Sequence, residues 1–180
     1  MILRFAAAVF AVALATSAAI AADPLSFDDP GMHFRAPDGW ERVDLGDAAG
    51  TDNAPAAVFA LRRDRADALA IIIKITDFDG SLEGFVNQRR SELRSGGDNV
   101  TTFLLKQTPL TLDNGMPAFL ITSESNVGTG SQHKTFEYLI IDGKRGIDVR
   151  YTGLVGDVDD DVAKRALSSL YVVAYPTRRQ

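Results

Sequence analysis

The sequence predicts an α+β fold: a mainly antiparallel β-sheet covered by helices on both faces, an α/β/α sandwich. Three observations carry that expectation. Strand-type runs recur between residues 32 and 151, punctuated by Gly, Pro, Asn and Asp turns. Helical spacing of apolar residues is confined to two segments, one after Ser81 and one after Gly156. The run Leu69-Ala70-Ile71-Ile72-Ile73-Lys74-Ile75-Thr76 is apolar without alternation, the pattern of a central strand buried on both faces.

The chain opens with Met1-Ile2-Leu3-Arg4, then an apolar run from Phe5 to Ala15, then small residues ending in Ala19-Ile20-Ala21. This is the layout of a signal peptide over residues 1–21, with Ala19 and Ala21 as the signal-peptidase recognition pair and cleavage before Ala22. The apolar stretch falls short of the ~20 residues that span a bilayer, so no transmembrane anchor is expected in the mature chain. Without a cysteine, no lipid can be attached there. Residues 22–180 are expected to form a single domain, exported to the periplasm or secreted, and soluble.

Within that domain, Met32 to Ala36 reads as a short strand, Pro37-Asp38-Gly39 as a turn, and Trp40 to Val43 as a return to extended chain. Residues 44–55 look like a surface loop. Val58 to Leu61 begins a strand, and Arg62-Arg63-Asp64-Arg65 reads as a solvated hairpin tip. Ser81 caps a first helix that Gly96-Gly97 ends; Leu82, Phe85, Val86 and Leu93 share one face, apolar except at Arg89. Two strands follow, over Thr102–Lys106 and Leu110–Leu112. A turn at Asp113-Asn114-Gly115 leads into Pro117–Thr122, and Ser123–Ser131 reads as a polar loop. The clearest hairpin joins Phe136–Ile141 to Ile147–Tyr151 through Asp142-Gly143. A second helix after Gly156 places Val158, Val162, Ala166 and Leu170 at four-residue intervals, with a crowd of aspartates at its start.

Composition narrows the function classes. The chain has 180 residues, 46% hydrophobic and 24% charged, a globular balance, and a formal net charge of −5 that disfavours nucleic-acid binding. With no cysteine there is no disulfide, thiol nucleophile or thiolate metal site, and two histidines offer little for a metal centre. Asp157-x-Asp159-x-Asp161 begins like a calcium loop, but the sixth and twelfth positions are Val162 and Ser168 rather than Gly and Glu, so helix capping accounts for it. Gly128-Thr129-Gly130 lacks the third glycine of a phosphate cradle, and no Gly-x-Ser-x-Gly elbow occurs. Asn99-Val100-Thr101 is a glycosylation sequon. No catalytic, metal or cofactor residue is expected. His33, Trp40 and His133 are the candidates for a ligand or partner surface, and Arg89, Arg90 and Arg94 read as a solvated basic helix face.

Phe34-Arg35-Ala36-Pro37-Asp38-Gly39-Trp40 resembles the opening strand and turn of the PsbP-like families. These include PsbP, the extrinsic photosystem II protein, and bacterial periplasmic DcrB-type proteins; Ran-binding Mog-type proteins share the fold. The later order of helix, turn at Gly115-Met116-Pro117-Ala118, hairpin and C-terminal helix agrees. The resemblance implies an antiparallel sheet between helices and a non-catalytic protein that binds or stabilises a protein or cell-envelope component. It supplies no catalytic residue. The lipidated cysteine frequent in DcrB-type proteins is missing here. A periplasmic small-molecule or metal carrier is the alternative, and a hydrolase ranks below both because no nucleophile–base spacing is visible.

Overall fold

The computed structural model describes residues 26–29, 31–46, 54–61, 69–96, 100–127, 130–168 and 170–172. The expected signal peptide with Ala19 and Ala21, the hairpin tip at 62–65, Asn99 of the sequon and Gly128-Thr129 lie outside them. In chain order the elements are β1 (Ser26–Asp29), β2 (Met32–Arg35), β3 (Glu41–Arg42), β4 (Ala57–Leu61), β5 (Leu69–Asp77), α1 (Leu82–Ser95), β6 (Val100–Thr111), β7 (Pro117–Val127), β8 (Ser131–Asp142), β9 (Arg145–Leu154), α2 (Asp160–Ser168) and β10 (Tyr171–Val172). The strands form two sheets, one ordered β1-β2-β10 and one ordered β3-β4-β5-β9-β8-β7-β6. Every ladder is antiparallel.

The β8–β9 hairpin turns at Gly143 with φ 62°, and sets Ile140 against Ile147, Tyr138 against Val149 and Phe136 against Tyr151. That register sends alternate residues to one side, where they meet Leu69, Ile71 and Ile73 of β5 in the larger core. Phe27, Met32 and Phe34 of the small sheet belong to the same core, as do Trp40, Val158, Ala163 and Leu170. The mainly antiparallel sheet with two helices is therefore present. The three-stranded sheet was not expected.

The second core is smaller. Phe85 and Val86 of α1 pack on Ile121 of β7 and Leu139 of β8, with Leu82, Leu93 and Leu104 around them. The start of α1 is fixed as the sequence predicts: the Gly84 amide donates to Ser81 Oγ at 3.1 Å. Gly96 ends it at φ 55°, where a Cβ would lie 2.6 Å from the Val100 carbonyl oxygen. At the second helix, the Asp161 and Val162 amides donate to Asp159 Oδ1 at 2.7 and 3.1 Å, so that aspartate is a helix cap.

Three expectations need correction. The β5 strand is buried on one face only: Leu69, Ile71 and Ile73 are within the core, whereas Ala70, Ile72 and Lys74 are half-buried. Its second face lies beside α1 rather than beneath it. The two strands expected over residues 102–112 are one strand, β6, with a register shift between Leu104 and Lys106. Pro109 fits within it because β6 is the sheet edge, where a missing amide donor costs no ladder bond. The loop expected at 123–131 is mostly strand, since β7 runs to Val127 and β8 starts at Ser131. Of its polar residues, Ser123 and Ser125 belong to the second face of the sheet.

Candidate functional site

Alternation along β8 and β9 builds that second face. Where Phe136, Ile140, Val149 and Tyr151 enter the larger core, their neighbours Thr135, Glu137, Asp148, Arg150 and Thr152 point to the side of α1. α1 covers the part of this face that carries Ile121 and Leu139. The remainder is polar and forms a groove along the helix. One end is a depression of about 220 Å³ bordered by Lys74, Asp77, Phe78, Gln88 and Asp148. The other, of about 290 Å³, is bordered by Ile72 and by the hydroxyls of Thr102, Ser123, Ser125, Thr135 and Thr152. Arg89, Glu92 and Arg150 border both.

The floor between the depressions is an ionic cluster. Glu137 is opposite Arg150 in the β8–β9 ladder, and Leu139 is opposite Asp148. Glu137 has no exposed surface, and Asp148 keeps only 4%. Arg89 reaches down from α1 and donates through Nε to Glu137 Oε1 at 2.5 Å, and through Nη1 to Glu92 Oε2 at 3.0 Å. Arg150 Nε donates to the same Glu137 oxygen at 3.0 Å and to Asp148 Oδ2 at 2.8 Å, and Nη2 also donates to Asp148 Oδ2. Two buried oxygens, Glu137 Oε2 and Asp148 Oδ1, accept from no donor.

Burial pushes the Glu137 carboxyl up to about 7, the nearby Asp148 carboxylate adds to the rise, and the two guanidinium groups only partly offset it. A hydrogen bond between the Glu137 and Asp148 carboxyls contributes in the same direction. A proton on Glu137 supplies the pair with a donor that neither carboxylate otherwise has. Burial works against the charge of Arg150, but Asp148 and then Glu137 outweigh it and hold Arg150 above its ordinary range. Burial also raises Glu92, yet bonds from Gln88 and Arg89, with Lys74 nearby, leave it below the usual carboxylate range.

The structure brings none of the three candidate residues together. His33 is exposed on β2, its Nδ1 2.6 Å from Asp28 Oδ1. Trp40 is 5% exposed, its ring 5.9 Å from that of Tyr151 in the larger core, so it is no open ligand platform. His133 is half-buried on β8, between Ser125 and Leu154, on the opposite face of the sheet from Trp40. Among the described residues no three His, Asp or Glu side chains are grouped to hold a metal ion. The expected basic helix face divides: Arg89 turns inward to Glu137, Arg90 lies 5.1 Å over the Phe119 ring, and Arg94 is exposed.

The order of strands, the single helix between β5 and β6 and the long C-terminal hairpins define a PsbP-like fold. The solution structure of cyanobacterial PsbP (CyanoP) from Synechocystis sp. PCC 6803 is similar to this chain, with a TM-score of 0.58 and 18% identity over 82% of this chain and 91% of that one. At that identity the likeness is one of fold. No family model and no curated protein matches the sequence. The likeness to DcrB-type proteins rests on the sequence reading alone, as does the fold shared with Ran-binding Mog-type proteins.

Proposed function

We propose that this is an exported, non-catalytic binding protein of PsbP-like fold, and that it recognises a protein or another envelope component through the groove beside α1. We read the two cores, one holding Phe85 of α1 and the other Ala163 of α2, as a sheet with a helix on each face. The observation that supports the groove is its charged floor. A buried ionic cluster contributes little net stability compared with apolar side chains of the same volume. Its position at an open concavity points to recognition. The hydroxyl-lined depression also favours a second reading, a small-molecule carrier.

A photo-crosslinking side chain at Gln88, exposed on the groove rim, tests the first reading in the producing cell. An equivalent probe at Glu41, exposed on β3, is the control. A discrete protein adduct from position 88, lost when Thr135→Val and Thr152→Val are combined, is the expected result. No adduct, or the same adducts from both positions, overturns it.

A further inference from the structure

We infer that the groove beside α1 is a site for a carboxylate monoanion, held between the guanidinium groups of Arg89 and Arg150, and that it binds more tightly as pH falls. This rests on the reading of the groove as the recognition surface, and it names the chemistry recognised there.

Donors are what the groove has left over. The carboxylates on its floor are already taken: Glu137 Oε1 by both arginines, Asp148 Oδ2 by Arg150, and Glu92 by Arg89 and Gln88. Among the described residues, Arg89 Nη2, Arg150 Nη1 and Lys74 Nζ make no hydrogen bond or ion pair, and all three residues border the groove. The hydroxyls add to this. Thr135 Oγ1 and Thr152 Oγ1 are 2.9 Å apart, as are Thr102 Oγ1 and Ser125 Oγ. In each pair one hydroxyl donates to the other, whose own proton is left for a third group. A lining rich in unspent N–H and O–H donors is complementary to a planar two-oxygen acceptor, to which Arg89 Nη2 and Arg150 Nη1 each offer a charge-assisted donor.

The charge balance selects a monoanion. Lys74 of β5, Arg89 of α1 and Arg150 of β9 face Glu92 of α1, Glu137 of β8 and Asp148 of β9, a neutral set when every carboxyl is ionised. Asp77, exposed like Glu92, borders the same depression and brings the fully ionised set to one net negative charge, and His133 is the remaining titratable group on this face of β8. The β6 and β7 positions that border the groove are Val100, Thr102, Ser123 and Ser125, without charge. A proton held between the Glu137 and Asp148 carboxyls removes one negative charge from the set, which favours a carboxylate monoanion over a phosphate dianion. Burial and Asp148 bring that protonation up to about pH 7. Above it the ionised Glu137 competes for the same two guanidinium groups, so the site weakens.

Amide-resolved NMR titration of the wild-type protein with sodium acetate and with N-acetyl-alanyl-alanine tests this, with acetamide and the dipeptide amide as controls. Both acids are expected to shift Ser123, Thr135 and Arg150, and neither amide is. Tighter binding of the dipeptide acid than of acetate assigns the site to a chain terminus; equal binding assigns it to a free small carboxylate. Affinity for the acids is expected to fall about threefold or more between about pH 5.5 and about pH 8.5, the scale of one unit charge at a partly solvated site. Glu137→Gln, permanently uncharged, is expected to remove that fall. Thr135→Val with Thr152→Val deletes a bonded pair without leaving an orphan, so it keeps the fold and weakens binding.

Amides that shift the same residues, a pH-independent wild type, or full affinity in the double valine variant would each overturn the inference. If Glu137→Gln does not fold, the amide controls and the valine pair decide. Crosslinking at position 88 without carboxylate binding sinks the anion chemistry and keeps the recognition surface. Carboxylate binding without a crosslink sinks the protein partner instead.

Discussion

Glu137 shows how much one residue depends on its strand. Its neighbours Phe136 and Tyr138 pack into the larger core, and the two-residue period turns Glu137 to the other face, opposite Arg150. There it is fully buried, and its carboxyl rises from 4.5 to about 7. Below pH 4.5 both folded and unfolded chains carry the proton, and nothing is lost. Between 4.5 and about 7 the unfolded chain gives it up and the folded chain keeps it, so stability falls as pH rises through that window. The loss is complete above the folded value and amounts to roughly 3 kcal/mol. Denaturant melts near pH 4.5 and pH 8 are expected to show this loss in the wild type and not in Glu137→Gln; equal losses in the two proteins would remove Glu137 as its source.

At the scale of elements, ends and faces differ in how far they can be read. The α1 cap depends on local chemistry, a serine hydroxyl within reach of an amide three residues on, and the sequence displays it directly. Ser81→Ala is expected to cost about 1 kcal/mol in a thermal or denaturant melt. The β8–β9 hairpin was equally legible, because Asp142-Gly143 and two alternating flanks leave one register. The groove was not. Its hydroxyls at Ser123 and Ser125 looked like loop because a polar run in one strand says nothing about the polar strands beside it. The one local signal was Arg89, a charge interrupting an apolar helical face. Its partner Glu137 is 48 residues away, reached only when α1 settles on the sheet. The β6 edge is a second case. Phe103 and Leu105 are 54% and 53% exposed around the register shift, so Phe103→Ser with Leu105→Ser is expected to leave stability within about 0.5 kcal/mol. A larger loss in a melt would mean that these side chains pack against something.

The whole molecule depends on the larger core, which joins both sheets. Ile73 has no exposed surface there, and Ile73→Asp would place a carboxylate with no partner among Phe59, Val149 and Tyr151. An unpaired buried charge costs several kcal/mol or forces protonation. Hydrogen exchange is expected to show protection lost together in β5, β9 and α1; loss in β5 alone would mean that the two cores are separately stable. The signal peptide that the sequence predicts over residues 1–21 implies that mass spectrometry of the exported protein finds Ala22 at its start, and a retained Met1 in a membrane fraction would refute it. Trp40, the single tryptophan of the chain, is in that same core against Tyr151, with the sheet between its indole and the groove. Its ultraviolet emission is therefore a reporter of one layer: blue-shifted while the small sheet is docked, and indifferent to events beside α1. Any change in that emission when a ligand enters the groove would show that the sheet itself moves.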